Sequence, residues 1–256
     1  MTSESPHTLF IGNQIIRLEE VDSTNNFSAA LIRDTTIPEG TVVITEKQTS
    51  GRGQRGNTWY SEPGKNITCS IILKPVFLNI QNQFDLTRVI ALGISDFLKG
   101  IFPESEIYIK WPNDIIVNDR KIAGILIENS ISSGKISSSV VGIGINVNQE
   151  NFEEGASSAI SIYQLSGKKF ELTSLLKPLF RNIEARYLQL RASNLEKLRS
   201  DYDNLLFRKG VLSRYTDFDS VFDAVLEEVT VEGLLCLRRQ NGQMSQYNFK
   251  EIGLLF

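Results

Sequence analysis

Hydrophobic positions along this chain follow two different periods, and the change between them predicts its elements. Apolar residues three and four apart indicate helices, whereas alternating or β-branched runs indicate strands. Both patterns occur in the first 207 residues. Strands are predicted at 41–47, 67–73, 106–110, 114–117, 121–128 and 138–148, and helices at about 27–32, 84–99, 156–165 and 172–206.

The strand from Lys121 to Glu128 is largely apolar on both of its alternating faces. A strand of this kind is buried on both sides, and we expect the same here. The turn before it, Asn118-Asp119-Arg120, consists of residues that favour chain reversal. This turn therefore predicts a hairpin.

The pattern changes after about residue 207. Short strands are predicted at 211–215, 221–230, 234–239 and 245–249, and Asn241-Gly242 is a strong hairpin signal between the last two. We therefore expect a main domain over residues 1–207 and a small β-barrel over residues 208–256. A β unit this short is expected to pack on the main domain for its stability.

Composition excludes several classes of protein. The chain has 256 residues, of which 41% are apolar and 22% charged, as in an ordinary globular protein with one large core. Its net charge of -3 argues against a broad surface that binds nucleic acid or membranes. Any positive charge that binds a ligand must therefore be concentrated in one part of the protein. No apolar run reaches the length of a membrane span, and the N-terminus lacks a signal-peptide pattern. We expect a cytoplasmic protein.

Histidine and cysteine chemistry is also disfavoured. The single histidine, His7, lies close to the N-terminus, which argues against His-based triads and His-rich metal sites. Cys69 and Cys236 form no CxxC pair and lie in apolar runs, so both are expected in the core. Lysine, arginine, carboxylates and amides remain for catalysis.

The segment 48–59 has the composition of an anion-binding loop. Gly51, Gly53 and Gly56 let the backbone approach a ligand closely. Arg52 and Arg55 offer planar, permanently charged groups for phosphate or carboxylate. A surface loop whose charges only aid solubility is the alternative.

This loop also spells G-x-G-x-x-G, but its context disagrees with a dinucleotide-binding fold. That fingerprint needs a helix at its last glycine and an acidic residue about 20 positions later. Here Trp59, Pro63 and Gly64 follow, and the first acid after Glu62 is Asp85. A P-loop is excluded as well, because no Gly-Lys pair is followed by Ser or Thr.

Two polar clusters complete the candidate site. The first, Asp22 to Asn26, resembles a helix start but has more capping groups than one helix needs, so some can face a polar ligand. The second is Lys110-Trp-Pro-Asn-Asp114, with Lys121 seven residues beyond it. Lys121 either extends to solvent from a strand end or meets an anion in a cleft, and its position alone leaves both open. Pro112 restricts Trp111 to extended conformations, which favours structural roles for both.

Four motifs together resemble biotin protein ligases. They are Gly51-Arg-Gly-Gln-Arg-Gly-Asn-Thr-Trp59, Lys110-Trp-Pro-Asn-Asp114, Arg120-Lys-Ile-Ala-Gly-Ile-Leu-Ile-Glu128 and Gly142-Ile-Gly-Ile-Asn146. The resemblance covers about residues 15–256. The loop departs from the family's usual GRGRxGRxW pattern at Gln54 and Asn57, where arginine is common. The resemblance implies an α+β fold, with a mixed sheet flanked by helices, like class II aminoacyl-tRNA synthetases and biotin synthetases, and a C-terminal SH3-like barrel.

The resemblance also implies a two-step reaction. Biotin and ATP form biotinoyl-5′-AMP and pyrophosphate, and a carrier lysine then takes the acyl group. The first step brings two anions together, whose repulsion at about 4 Å is about 1 kcal/mol in water and about 4 kcal/mol at an effective dielectric of 20. Cationic side chains and Mg²⁺ are expected to offset this repulsion.

The motif positions assign roles by resemblance. Lys121 and Arg52 would be the catalytic residues. The biotin side would comprise Ser23, Thr24, Asn25, Gln48, Gly51, Arg52, Gly53, Gln54 and Lys121. The nucleotide side would comprise Arg55, Trp59, Lys110, Asn113, Asp114 and Asn146. The metal ligands stay open.

The implied partner is a biotin carboxyl carrier protein, of acetyl-CoA carboxylase or a related carboxylase subunit. The resemblance is also compatible with a homodimer, because the family includes dimers. Lipoate ligases or octanoyltransferases are the nearest alternative, but they lack these motifs. A biotin-binding regulator without catalysis is another. For a DNA-binding repressor, only about 20 residues precede Asp22, too few for a helix-turn-helix domain.

Overall fold

A computed structural model describes residues 8–34, 36–152, 158–218 and 220–255. The main body has seven strands and five helices among these residues. They are β1 (Ile15–Val21), α1 (Thr24–Asp34), β2 (Val42–Gln48), β3 (Ile67–Leu73), α2 (Phe84–Ile101), β4 (Ile107–Lys110), β5 (Asp114–Val117), β6 (Arg120–Ser132), β7 (Lys135–Ile145), α3 (Ile162–Ser166), α4 (Leu172–Arg191) and α5 (Leu195–Asn204).

The main sheet is mixed, as expected. Its strand order is β1-β2-β3-β7-β6-β5-β4. Strands β1 and β2 pair in parallel through the crossover helix α1, and the other neighbours are antiparallel. The long β6–β7 pair, with β3 beside it, forms the centre of the sheet.

Helices cover the apolar side of this sheet. Helix α2 packs against β4, β5 and β6, and α4 and α5 pack on α2. Helices α2 and α4 come close at Gly93, where a Cβ atom would lie 2.7 Å from the Cα atom of Ile183 in α4. This packing buries β4, β5 and β6 against α2.

The C-terminal unit is a five-stranded antiparallel sheet with the order β11-β10-β9-β8-β12. Its strands are β8 (Leu212–Thr216), β9 (Val221–Val229), β10 (Leu235–Arg239), β11 (Met244–Tyr247) and β12 (Gly253–Leu255). This architecture is consistent with the expected SH3-like barrel. The predicted boundary after residue 207 falls in the connection between α5 and β8, and the division into two domains stays a prediction.

A buried cation holds this unit to the main body. Arg88 of α2 is 1% exposed, pairs with Asp85 at 2.7 Å, and donates to the carbonyls of Val229, Thr230 and Val231. Nearby, the indole N–H of Trp111 donates to the Gly233 carbonyl at 2.9 Å. The β9–β10 turn is therefore fixed to the segment that holds the Lys110–Asp114 motif.

Both predicted hairpins are confirmed. Strands β5 and β6 pair around Asn118 and Asp119, which have φ of 48° and 62°. Strands β10 and β11 pair around Gly242, which has φ of 84°. Burial of β6 on both sides is confirmed for Ile122–Ile125 and wrong from Leu126 onward, where the strand is partly exposed.

Three other expectations need correction. The helix predicted over 172–206 is two helices, because the chain turns at Ser193, which has φ of 59°. The helix predicted at 156–165 is wrong over residues 158–161, where the chain pairs with Lys121 through a bridge at Ala159, and α3 begins only at Ile162. Residues 156 and 157 lie outside the described residues. Strands β1 and β12 were not predicted, because β1 is a half-exposed edge strand and β12 has only three residues.

None of the helices in the described ranges is long and apolar enough to cross a membrane.

Candidate active site

A cavity of about 330 Å³ lies between the open side of the main sheet, the glycine-rich loop and the C-terminal sheet. Its walls come from the N-terminus of α1, from the loop around Arg52, from the Lys110–Asp114 segment and from the last turn of the chain. Segments far apart in sequence thus converge on one site, and both polar clusters singled out in the sequence line it.

Glycines form the floor of the cavity. Gly124 of β6 pairs with Gly144 of β7, and Gly142 lies two residues away on the same face. Asn25 packs directly over Gly142, where a Cβ atom would lie 2.4 Å from Asn25 Oδ1. The alternate glycines of two motifs therefore remove the side chains that would otherwise fill the site.

The indole of Trp59 lies on this floor. A Cβ atom at Gly144 would lie 2.3 Å from Trp59 Cε2, and one at Gly124 would lie 2.9 Å from Cζ3. The Nε1–H of Trp59 is buried and has no hydrogen-bond partner. A buried unpaired donor is costly, so this group is available to an acceptor on a ligand.

Neutral hydrogen-bonding groups line one end of the cavity. Ser23, Thr24 and Asn25, at the start of α1, are each 2–3% exposed. Gln48, at the end of β2, accepts from the backbone N–H of Thr24 at 2.8 Å. Ser70 donates to Asn25 Oδ1 at 2.7 Å. The start of α1 is thus capped by the Gln48 side chain of β2, and the polar side chains of the helix start line the cavity.

Glu128 joins this end to the glycine-rich loop. One of its carboxylate oxygens accepts from Asn25 Nδ2 at 2.8 Å, and the other pairs with the Arg52 guanidinium. Arg52 also donates to Asn26 Oδ1. Through these contacts the loop and the N-terminus of α1 are held against the middle of β6.

The other end of the cavity is cationic. Lys121 pairs with Asp114 at 2.7 Å, and its ammonium lies 5.5 Å from the centre of the Trp59 ring. Desolvation lowers the pKa of Lys110, and Lys121 lowers it further, while Asp114 opposes both. Lys250, from the C-terminal sheet, lines the same cavity. Like charges gathered around one carboxylate indicate a site for an anion.

Most residues assigned by resemblance lie in this cavity. Those that line it are Ser23, Thr24, Asn25, Gln48, Arg52, Gly53, Gln54, Trp59, Lys110, Asn113, Asp114 and Lys121. Their individual roles stay predictions, because position alone does not assign them.

Two assigned residues, Gly51 and Asn146, have other surroundings. Gly51 packs against the backbone of Trp59, whose N–H donates to the Gly51 carbonyl at 2.9 Å. Asn146 is 3% exposed and donates to the Ile160 carbonyl at 3.1 Å. Neither residue is among the described residues that line the cavity, so this geometry gives their assignments no support. The side chain of Arg55 lies outside the described residues.

Several lining residues were not predicted. The floor glycines belong to recognised motifs, and their alternation on paired strands was a usable signal. The wall from the C-terminal sheet carried no local signal. It comprises Tyr215, Leu226, Leu235, Lys250, Ile252, Gly253 and Leu254, and Phe207 lines the cavity from the connection before β8.

Known proteins agree with this architecture. A family model described as the biotin/lipoate A/B protein ligase family matches residues 18–146. The bifunctional ligase/repressor BirA of Bacillus spizizenii is 30% identical over 246 residues, which cover 94% of this chain and 74% of that protein. The biotin–[acetyl-CoA-carboxylase] ligase of Paracoccus denitrificans is 29% identical over 220 residues, which cover 81% of this chain and 90% of that protein.

Among solved structures, the biotin protein ligase from Aquifex aeolicus in complex with biotin and ATP has the same fold. Its TM-score is 0.78 at 24% identity, and the match covers 95% of this chain and 99% of that one. The matched family segment begins in β1 and ends at the last residue of the Gly142–Asn146 motif, so it contains the loop, the Lys110–Asp114 motif and the glycine floor. This chain is therefore a member of the biotin/lipoate A/B protein ligase family.

Proposed function

We propose that this protein is an ATP-dependent biotin protein ligase, which activates biotin as biotinoyl-5′-AMP and transfers it to a lysine of a carrier protein. The observation that carries the proposal is the polarity of the cavity. A buried, neutral hydrogen-bonding end and a cationic end lie on one glycine floor. A ligand with a neutral polar head and a carboxylate tail, next to a polyphosphate, matches that polarity.

The neutral end suits the ureido group of biotin. This group has one carbonyl that accepts and two N–H groups that donate hydrogen bonds. Hydroxyls of Ser23 and Thr24 can donate to the carbonyl, and amide or hydroxyl oxygens can accept from the N–H groups. Because these side chains are buried and already positioned, they lose little entropy on binding.

The cationic end suits the first reaction step. One biotin carboxylate oxygen forms a bond to the α-phosphorus of ATP. The bond from that phosphorus to the bridging oxygen of the β-phosphate breaks, and this oxygen leaves with the electron pair as pyrophosphate. Lys121 is held at the floor by Asp114, where its ammonium can contact both anions and stabilise charge in the transition state.

Arg52 has a separate part in this mechanism. In the present conformation its guanidinium pairs with Glu128, and its side chain is 43% exposed. We assign it to the carboxylate and the α-phosphate once the loop folds over the ligands. Closure of the loop would also exclude water from the hydrolysable mixed anhydride.

Mg²⁺ is expected to enter with the ATP phosphates. No cluster of three or more His, Cys, Asp or Glu side chains suited to a metal occurs in the described ranges. Mg²⁺ in phosphoryl-transfer sites is commonly held by one or two carboxylates together with the substrate phosphates, and Asp114 is a carboxylate in the cavity wall. The residues therefore fit a substrate-borne Mg²⁺ with Asp114 as its protein ligand. The ion would neutralise phosphate charge.

In the second step, a neutral lysine amine of the carrier attacks the acyl carbon, and AMP leaves with the electron pair of the broken C–O bond. The nitrogen then loses a proton to solvent, which leaves the amide. We propose that the carrier is the biotin carboxyl carrier protein of acetyl-CoA carboxylase or a related carboxylase, because the Paracoccus relative is named for that substrate. Such a reaction would take place in the cytoplasm.

The test is to incubate the protein with biotin, ATP, Mg²⁺ and a biotin carrier domain, and to weigh the carrier by mass spectrometry. The proposal predicts one biotinoyl group on one lysine, and none when ATP is omitted. Replacing biotin by lipoate or octanoate in the same assay tests the nearest alternative. Modification by lipoate or octanoate but not by biotin would contradict the proposal.

A further inference from the structure

The last turn of the chain places a lysine where a glycine would be favoured. Residues 248–251 form a turn that is closed by the Glu251 N–H donating to the Asn248 carbonyl at 3.1 Å. Lys250 is its third residue and has φ of 71°. The third position of a turn with positive φ favours glycine or asparagine, so a lysine there is kept at a conformational cost.

This turn is fixed to the main body next to the active-site motif. The ring of Phe249 lies 5.3 Å from the Trp111 ring and 5.9 Å from the Phe84 ring, measured between centroids. Trp111 follows Lys110 directly in the chain. Lys250, the neighbour of Phe249 in the turn, lines the same cavity as Lys110.

Among the described residues, the cavity is lined by more cationic than acidic side chains. Its lining includes the cations Arg52, Lys110, Lys121 and Lys250, with Asp114 as the acidic member. Lys121 and Arg52 suffice for the carboxylate and the α-phosphate. ATP brings further negative charge on its β- and γ-phosphates, and this charge increases on the departing pyrophosphate as the bond to the α-phosphorus breaks.

We propose that Lys250 binds the β- and γ-phosphates of ATP and the departing pyrophosphate, so that the C-terminal sheet supplies a catalytic residue of biotin activation. This inference rests on the proposed function. A lysine ammonium acts as a point charge toward phosphate without a fixed fork geometry, which suits a group that leaves. Retention of a lysine at an unfavourable backbone position also agrees with a functional requirement.

Three substitutions separate the effect of the Lys250 charge from the effect of its backbone conformation. Lys250→Ala removes the charge and keeps a side chain at positive φ. Lys250→Gly removes the charge and relieves the backbone, and Lys250→Arg keeps the charge. Arg208→Gly is the matched control, because Arg208 is also a cation at positive φ, with φ of 59°, and is not among the described residues that line the cavity.

The assay is biotin-dependent adenylate formation without carrier, with KM measured separately for ATP and biotin, and with inhibition by added pyrophosphate. For Lys250→Ala and Lys250→Gly we expect the KM for ATP to rise about tenfold, equivalent to about 1.4 kcal/mol. Inhibition by pyrophosphate should weaken by a similar factor, and the KM for biotin should stay within twofold. Lys250→Arg should raise the KM for ATP less than Lys250→Ala does, because it keeps the charge but not the point-charge geometry. Arg208→Gly should resemble the wild type. Lys250→Gly should unfold at the same temperature as the wild type or higher.

A KM for ATP within twofold of wild type in both Lys250→Ala and Lys250→Gly overturns the inference. An equal loss in Lys250→Arg also overturns it, because the charge would then not be what acts. Failure of the proposed function is a separate result, since the wild type itself would then form no adenylate.

Discussion

Gly144→Ala tests whether the glycine floor positions Trp59. Gly144 lies in β7, which is paired on both sides, with Thr68 of β3 and Gly124 of β6. A Cβ atom there would lie 2.3 Å from Trp59 Cε2, 2.5 Å from Cζ2 and 2.7 Å from Nε1. The central strand cannot shift easily, so the indole must leave the floor and move into the cavity.

The cost follows from this overlap. Overpacking by one methyl group typically costs about 1–3 kcal/mol, which lowers Tm by about 3 °C per kcal/mol in a chain of this size. Adenylate formation should fall at least tenfold, because the displaced ring occupies ligand space. The protein has two tryptophans, so a Trp111→Phe background isolates the Trp59 emission, which should shift in Gly144→Ala.

Gly100→Ala is the matched control. Its Cβ atom would meet no atom within 4 Å, and the residue lies near the end of α2. In a helix, alanine is favoured over glycine by up to about 1 kcal/mol, so this variant should be as stable as the wild type or more stable. If Gly144→Ala keeps the wild-type Tm, emission and activity, the floor does not position Trp59.

The remaining predictions concern charge, burial and loop closure. Lys121→Met should lower adenylate formation about 10²–10³-fold, and unchanged pyrophosphate release would remove Lys121 from the mechanism. The same variant should change the free energy of unfolding, measured by chemical denaturation, by no more than about 1 kcal/mol, because its ion pair is partly exposed. Arg88→Met should lower the free energy of unfolding by about 3–5 kcal/mol, because it strips a buried carboxylate of one partner, and a loss below about 1 kcal/mol in urea titration would contradict this. Burial raises the pKa of the Cys69 thiol to about 12 and also raises the pKa of Cys236. A thiol reagent at pH 8 should therefore label neither cysteine until urea is added, and rapid labelling of Cys69 in the native protein would show that it is not buried. Backbone amides of residues 50–59 should exchange more slowly with biotin and ATP bound, and equal exchange by mass spectrometry would count against loop closure.

The sequence predicted several strands of the main sheet well because their apolar and β-branched residues form clear runs. Strands β3 and β5 match their predicted ranges at Ile67–Leu73 and Asp114–Val117. The hairpin turns were predictable because positive φ selects Asn, Asp and Gly. The edge strands β1 and β12 were not predicted, because their pairing depends on partners distant in sequence.

The candidate site was predictable where motifs are local. Ser23, Gln48 and Lys121 come from separate segments, and the structure brings all three to one cavity. The roles of Glu128 and of the floor glycines needed the register of β6 against β7, which no single segment encodes. Lys250 could not be inferred, since only the docking of the C-terminal sheet places it at the cavity.

The central claim is that this cavity brings the biotin carboxylate and the α-phosphate of ATP together beside Lys121. It is tested most directly by the exchange of labelled pyrophosphate into ATP, measured without any carrier protein. The account predicts exchange that requires biotin and falls at least 100-fold in Lys121→Met, consistent with the loss of one main stabilising charge. Exchange that proceeds equally without biotin, or at the wild-type rate in Lys121→Met, would contradict it.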